Sequence, residues 1–160
     1  MVPIVPMPGA IICGLDGSQS ARAAVRVART LGAVLGRRLV LVYVVEPGSS
    51  EEEIDAVVDR LRRLTESGAF AENEALWLVD VGHPADRLVA AAFDEAASLV
   101  VLGSRGPRSS LLGSVSAEVS RRAPCPVVVV PPGADGALAT ITAAVSETDS
   151  SARVLVTSRR

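Results

Sequence analysis

Two apolar runs in this chain end in the same spacing, Gly-x-x-Gly. Gly14-Leu15-Asp16-Gly17 follows residues 10–13, and Gly103-Ser104-Arg105-Gly106 follows residues 99–102. A third glycine opens Gly113-Ser114-Val115-Ser116 just beyond the second turn. Turns without side chains let a ligand approach the backbone closely. A Gly-Ser helix start offers free N–H groups and a hydroxyl to an anion. The pair of turns points to a small-molecule phosphate site. Each glycine and serine has a plainer reading as well: a tight strand-to-helix connection with a capped helix.

Other chemistry finds less support. Net charge is −2 with no block of like charge, so nothing calls for a nucleic-acid or membrane partner. Aromatic residues are 2% of the chain, too few for a base-stacking surface. All 16 basic side chains are Arg, which excludes a Walker-type loop and a pyridoxal Schiff base, both of which need Lys. His83 is the only histidine, and no Gly-x-Ser-x-Gly elbow accompanies it. Two cysteines and one histidine at scattered positions make no metal-ligand set. Neither a signal peptide nor a bilayer-spanning run is evident, so a reducing cytoplasm is the expected location.

These turns need elements to position them. At 160 residues the chain suits one domain with a real core built from Val, Ala and Leu. Continuous apolar runs predict strands at 10–14, 39–45, 75–81, 99–102 and 127–130. Helical spacing marks four intervening helices: one after Ser18 or Ser20, one opened by Glu51-Glu52-Glu53, one over 85–96, and one over about 114–122. The alternation implies parallel pairing with right-handed crossovers and helices on both faces. Ligands in such sheets bind at the carboxyl ends of strands, where strand order reverses. In a 3-2-1-4-5 order both turns meet at one crevice. The valine run at 127–130 would then be an edge strand, a pairing hazard needing cover from a partner subunit or from a tail strand near Val154. Residues 133–151 read as a mobile tail, with residues 153–157 able to form one short added strand. Cys13 and Cys125 would sit roughly 9–10 Å apart, too far for a disulfide.

Taken together, residues 11–18, Gly103-Ser104-Arg105-Gly106 and the stretch from Gly113 through Ala123-Pro124-Cys125-Pro126-Val127 resemble the universal stress protein family. The resemblance covers residues 9–132 and leaves 133–160 as a low-complexity tail. It implies an α/β fold with a five-stranded parallel sheet of order 3-2-1-4-5 and helices on both faces. It implies a cytoplasmic stress-response protein and a homodimer paired through residues 127–130. The residues themselves, with no Lys, no nucleophile elbow and no clustered acid–base pair, argue against an enzyme, a slow ATP hydrolase being the less favoured alternative. One branch of the family binds ATP, with or without Mg, and another does not. Mapped onto this chain, the family's nucleotide site takes in Gly14, Leu15, Asp16, Val44, Leu102, Gly103, Arg105, Gly106, Gly113, Ser114, Val115 and Ser116. Asp16 corresponds to the acid near the ribose and Val44 to the residue lying against adenine. One departure falls on the phosphate loop. The ATP-binding pattern places nine residues between its second and third glycines; here six, 107–112, separate Gly106 from Gly113. Whether the shortened loop closes around phosphates or fills the pocket stays open at this point, as does a ligand-free interaction module of the same fold.

Overall fold

The structure, a computed structural model, describes residues 9–64, 75–104 and 113–134, together with the backbone of 141–144 and 153–156. Strands and helices alternate: β1 (Ile11–Leu15), α1 (Gln19–Leu35), β2 (Leu39–Val45), α2 (Glu51–Leu64), β3 (Ala75–Val81), α3 (Pro84–Asp94), β4 (Leu99–Gly103), α4 (Ser114–Arg122) and β5 (Val127–Val130). These five strands form a parallel sheet in the order 3-2-1-4-5. β1 lies at its centre, with Ile11 opposite Leu39 on one side and Leu99 on the other.

The strands are continuous apolar runs because both faces of the sheet are covered. On one face Ile11, Cys13, Leu41, Val101 and Val128 pack beneath Ala23, Ala24, Val27, Ala28 and Leu31 of α1. On the other, Ile12, Val40, Val42, Val100 and Val127 pack beneath Ala85, Leu88, Val89 and Ala92 of α3 and Val119 of α4. Small Ala-rich faces let the helices sit close to valine-rich strands. Interiors packed at crystal-like density have little room for larger side chains there.

Local signals set the helix ends. Ser18 caps α1 by accepting a hydrogen bond from the Ala21 N–H at 3.1 Å. Gly36 ends the helix in the left-handed conformation that glycine adopts without strain. A reciprocal capping box opens α2: the Glu53 N–H donates to Ser50 Oγ at 3.2 Å, and the Ser50 N–H donates to Glu53 Oε2 at 2.8 Å.

One finding departs from the sequence reading. Two strands extend the five-stranded sheet: β6 (Ile141–Ala144) falls inside the stretch read as a mobile tail, whereas β7 (Arg153–Val156) is the short added strand that residues 153–157 are able to form. β7 pairs parallel with β5, Val127 opposite Arg153, and β6 pairs antiparallel with β7. Of the two covers expected for the edge at Val127–Val130, a partner subunit or the tail strand near Val154, the structure has the second: the chain's own β7 occupies it. The physical reason is direct: four consecutive buried valines leave a row of backbone donors and acceptors that any nearby extended segment can satisfy.

Candidate functional site

Past the carboxyl ends of β1 and β4 the sheet opens into a crevice. Its wall is formed by Gly14, Leu15, Asp16, Val42, Val44, Leu102 and Gly103 from the strands and their turns, and by Ser18, Ala21, Pro84, Leu88, Gly113, Val115 and Ser116 from the helices. The three helices that contribute, α1, α3 and α4, all present their N-terminal turns. Each such end carries unpaired N–H groups and roughly half a positive charge. α1 is capped by Ser18, whereas neither His83 at the start of α3 nor Gly113 at the start of α4 caps its helix through a side chain. Leu15, Val42, Val44, Leu88, Leu102 and Val115 make the remainder of the wall apolar. The arrangement offers an apolar slot for a flat ring beside N–H donors for an anion.

Most of the residues singled out from the sequence reach this wall: Gly14, Leu15, Asp16, Val44, Leu102, Gly103, Gly113, Val115 and Ser116. Ser114 stands exposed as the first residue of α4, outside the wall itself. Arg105 and Gly106 lie outside the described residues. Ser18, Ala21, Val42, Pro84 and Leu88 line the wall without having been singled out. Pro84 and Leu88 belong to the crossover from β3 to β4, so only the strand order brings them here. The order 3-2-1-4-5 places the start of α3 over β1, where Leu88 meets Gly14.

The glycines have packing roles that their turn reading did not foresee. A Cβ on Gly103 would lie 2.5 Å from the Ser20 carbonyl carbon and 2.7 Å from the Ala21 nitrogen. The backbone of α1 thus rests directly on β4. A Cβ on Gly14 would lie 2.7 Å from Cδ2 of Leu102 and 3.1 Å from Cδ2 of Leu88. Around Gly103 the hydroxyls are engaged: Ser116 Oγ donates to the Gly103 carbonyl at 3.1 Å, and Ser120 Oγ donates to the Ser116 carbonyl at 2.7 Å. Ser18 Oγ and Ser20 Oγ lie 3.1 Å apart. At the rim, Asp16 Oδ1 accepts from the Ser18 N–H at 2.9 Å, which holds the β1–α1 turn.

His83 is exposed and lies 3.9 Å from Asp86, outside the crevice wall. His83, Asp86 and Glu118 converge within 4.8 Å. Arg122 donates to Asp86 Oδ1 at 2.6 Å and to Glu118 Oε1 at 2.7 Å, so a guanidinium already stands as the cation of that group. The hydrogen bond from Arg122 holds the Asp86 carboxyl below its usual range.

Cys13 and Cys125 pack on opposite faces of the sheet, and both are free thiols. Burial pushes Cys13 up to about 12 and Cys125 up to about 11. Only the thiolate reacts, so at pH 8 iodoacetamide should label the more accessible Cys125 about two orders of magnitude slower than a free thiol. Cys13 should stay unlabelled until denaturant is added. Mass spectrometry of the labelled protein checks both; rapid native labelling of Cys125 would contradict the burial argument.

A family model for the "Universal stress protein family" matches residues 7–131. The chain belongs to the universal stress protein family. It is 34% identical over 132 residues to a Thermus aquaticus relative named "Universal stress protein in QAH/OAS sulfhydrylase 3'region", covering 75% of this chain and 96% of that one. Among solved structures of the family, one in complex with cAMP is similar at 26% identity with a TM-score of 0.62, covering 78% of this chain and 97% of the other. The Archaeoglobus fulgidus universal stress protein in complex with dAMP is similar at 25% identity with a TM-score of 0.62, covering 76% and 97%. The family model ends at residue 131, so β6 and β7 lie beyond the stretch it matches.

Proposed function

We propose that this chain is a stress-response binding protein that holds an adenine nucleotide, ATP in the first instance, in the crevice between β1 and β4. The observation that carries the reading is the convergence of three helix N-termini, two without side-chain caps, on an apolar slot. The base would lie against Val44 and the ribose near Asp16. The phosphates would meet the first N–H groups of α4 at Ser114, Val115 and Ser116. That relatives of known structure hold cAMP and dAMP supports an adenine ligand.

The reading is a binding module and not an enzyme. Among the described residues of the crevice wall, Asp16 is the one carboxylate, and no His, Cys or Lys joins it. General acid–base work needs a second titrating partner in reach. Occupancy would act by setting a conformational or partner-binding state in the cytoplasm. No helix among the described residues is long and apolar enough to cross a membrane.

A second reading keeps the fold without the ligand. It is favoured by the size of the crevice, about 90 Å³, against roughly 300 Å³ at the lower end for small-molecule sites. The short loop before Gly113 points the same way.

Thermal unfolding separates the two. A ligand that binds only the folded state at a hundredfold excess over its dissociation constant adds about 2.7 kcal/mol, which for a chain of this length raises Tm by about 5–10 °C. The first reading expects that rise with ATP, AMP or cAMP and a smaller one with GTP. No rise with any of them would establish the ligand-free module.

A further inference from the structure

The far end of α1 borders a second hollow, apart from the crevice. The 17 residues of α1 carry the chain roughly 25 Å away from the crevice. The helix stops at Gly36, whose φ of +61° turns the chain back, so that the Gly36 and Arg37 N–H groups both donate to the Gly32 carbonyl. A Cβ on Gly32 would lie 3.2 Å from the Arg37 carbonyl oxygen, so the returning chain lies close against the helix. A Cβ on Gly36 would meet nothing within 4 Å. Between the helix end and the start of β2 is a hollow of about 340 Å³, a volume that small-molecule sites share.

Three arginines line this hollow: Arg29 from α1, and Arg37 and Arg38 from the return into β2. Gly32, Ala33 and Gly36 line it without large side chains. Arg29 and Arg37 are half-buried, and the Arg29 Nε is shielded from solvent. Side chains so confined lose less freedom when a ligand is held. Arg38 is exposed and pairs with Glu95. A guanidinium has five N–H donors, so one that pairs on one side keeps donors for another partner. Like charges around a concave surface focus their field on it, and planar forks match the oxygens of phosphate and carboxylate. Complementing the negative end of a helix accounts for one cation there, and not for three around one hollow. A nucleic acid would call for a basic stripe on a basic domain, whereas this chain has a net charge of −2. The geometry points to a second ligand site, at which Arg29, Arg37 and Arg38 hold a compact multivalent oxyanion of the polyphosphate or polycarboxylate class. The site is independent of the nucleotide reading of the crevice.

The test is amide NMR of the full chain, titrated separately with pyrophosphate and with citrate at constant ionic strength. One or both should shift the amides of Gly32, Gly36 and Arg37 saturably, with a dissociation constant at or below about 1 mM; the one that binds tighter names the ligand chemistry. Arg37→Gln should weaken that binding about fivefold, the upper end for a partly exposed charge. Arg38→Gln, at an exposed position, should weaken it in the same direction and carries the test if Arg37→Gln fails to fold. Arg62→Gln removes the same charge from α2, away from the hollow, and should change it less than about twofold. Shifts confined to Val115 and Ser116 would place the anion in the crevice and overturn the inference. So would a response that never saturates, or equal losses in Arg37→Gln and Arg62→Gln. A crevice that binds no nucleotide would leave the inference standing, because different amides report the two sites.

Discussion

Gly103→Ala protein is expected to unfold about 3 kcal/mol more easily than wild type, the upper end of what inserting one methyl into a packed interior costs. In a chain of this size that lowers Tm by about 6–12 °C. The expectation follows from what the new methyl meets. At Gly103 it would press on the main chain of α1, with the Ser20 carbonyl carbon at 2.5 Å and the Ala21 nitrogen at 2.7 Å. Backbone inside a capped helix cannot step aside without moving the helix. Gly14→Ala makes the contrast, because there the methyl meets the ends of the Leu102 and Leu88 side chains. Leucine can change rotamer, so Gly14→Ala should cost about 1 kcal/mol. Urea denaturation of the two variants orders them. A Gly103→Ala protein melting within 2 °C of wild type would show that α1 does not rest on β4 as described.

Removing residues 135–160 should have the second large effect. The truncation keeps Ala134, whose carbonyl accepts from Arg26 at 3.2 Å. It deletes β6 and β7, and so strips the ladder partner from Val127–Val129. An uncovered edge of four buried valines is a template for pairing with another copy. Light scattering coupled to gel filtration should find the full chain monomeric and the truncated chain dimeric or larger, increasingly so with concentration. A truncated chain that stays monomeric and keeps its Tm would remove any sealing role for β7.

Much of this fold is legible in the sequence because parallel strands buried on both faces leave uninterrupted apolar runs. Residues 39–45 and 127–130 are such runs, and each is a strand with the predicted bounds. Two helices are legible from their starts, α1 from Ser18 ahead of it and α2 from the acids Glu51-Glu52-Glu53 in its first turn. The wall of the crevice is only half legible. Gly14 and Gly103 stand out as glycines, yet the chain alone does not reveal that one clears leucine side chains and the other clears a helix backbone. Those are contacts between elements far apart in sequence. Pro84 and Leu88 enter the site through strand order and helix placement, which local periodicity does not encode. β6 is hidden for a different reason: Ile141-Thr142-Ala143-Ala144 has one large apolar side chain, too weak a pattern to read as a strand.

The crevice also has a place in time. Its two strand walls, β1 and β4, pair Ile11 with Leu99, the most distant pairing in the sheet. β1, α1 and β2 can associate early through nearby contacts. Joining β4 to β1 must wait for closure of a long loop, an entropic cost that slows folding. The crevice needs both walls, so it is formed only once that pairing is made. A ligand spanning both walls would act as a late clasp. It would slow unfolding while leaving the folding rate almost unchanged, so occupancy would be recorded in how long the folded chain persists and not in how fast it is made.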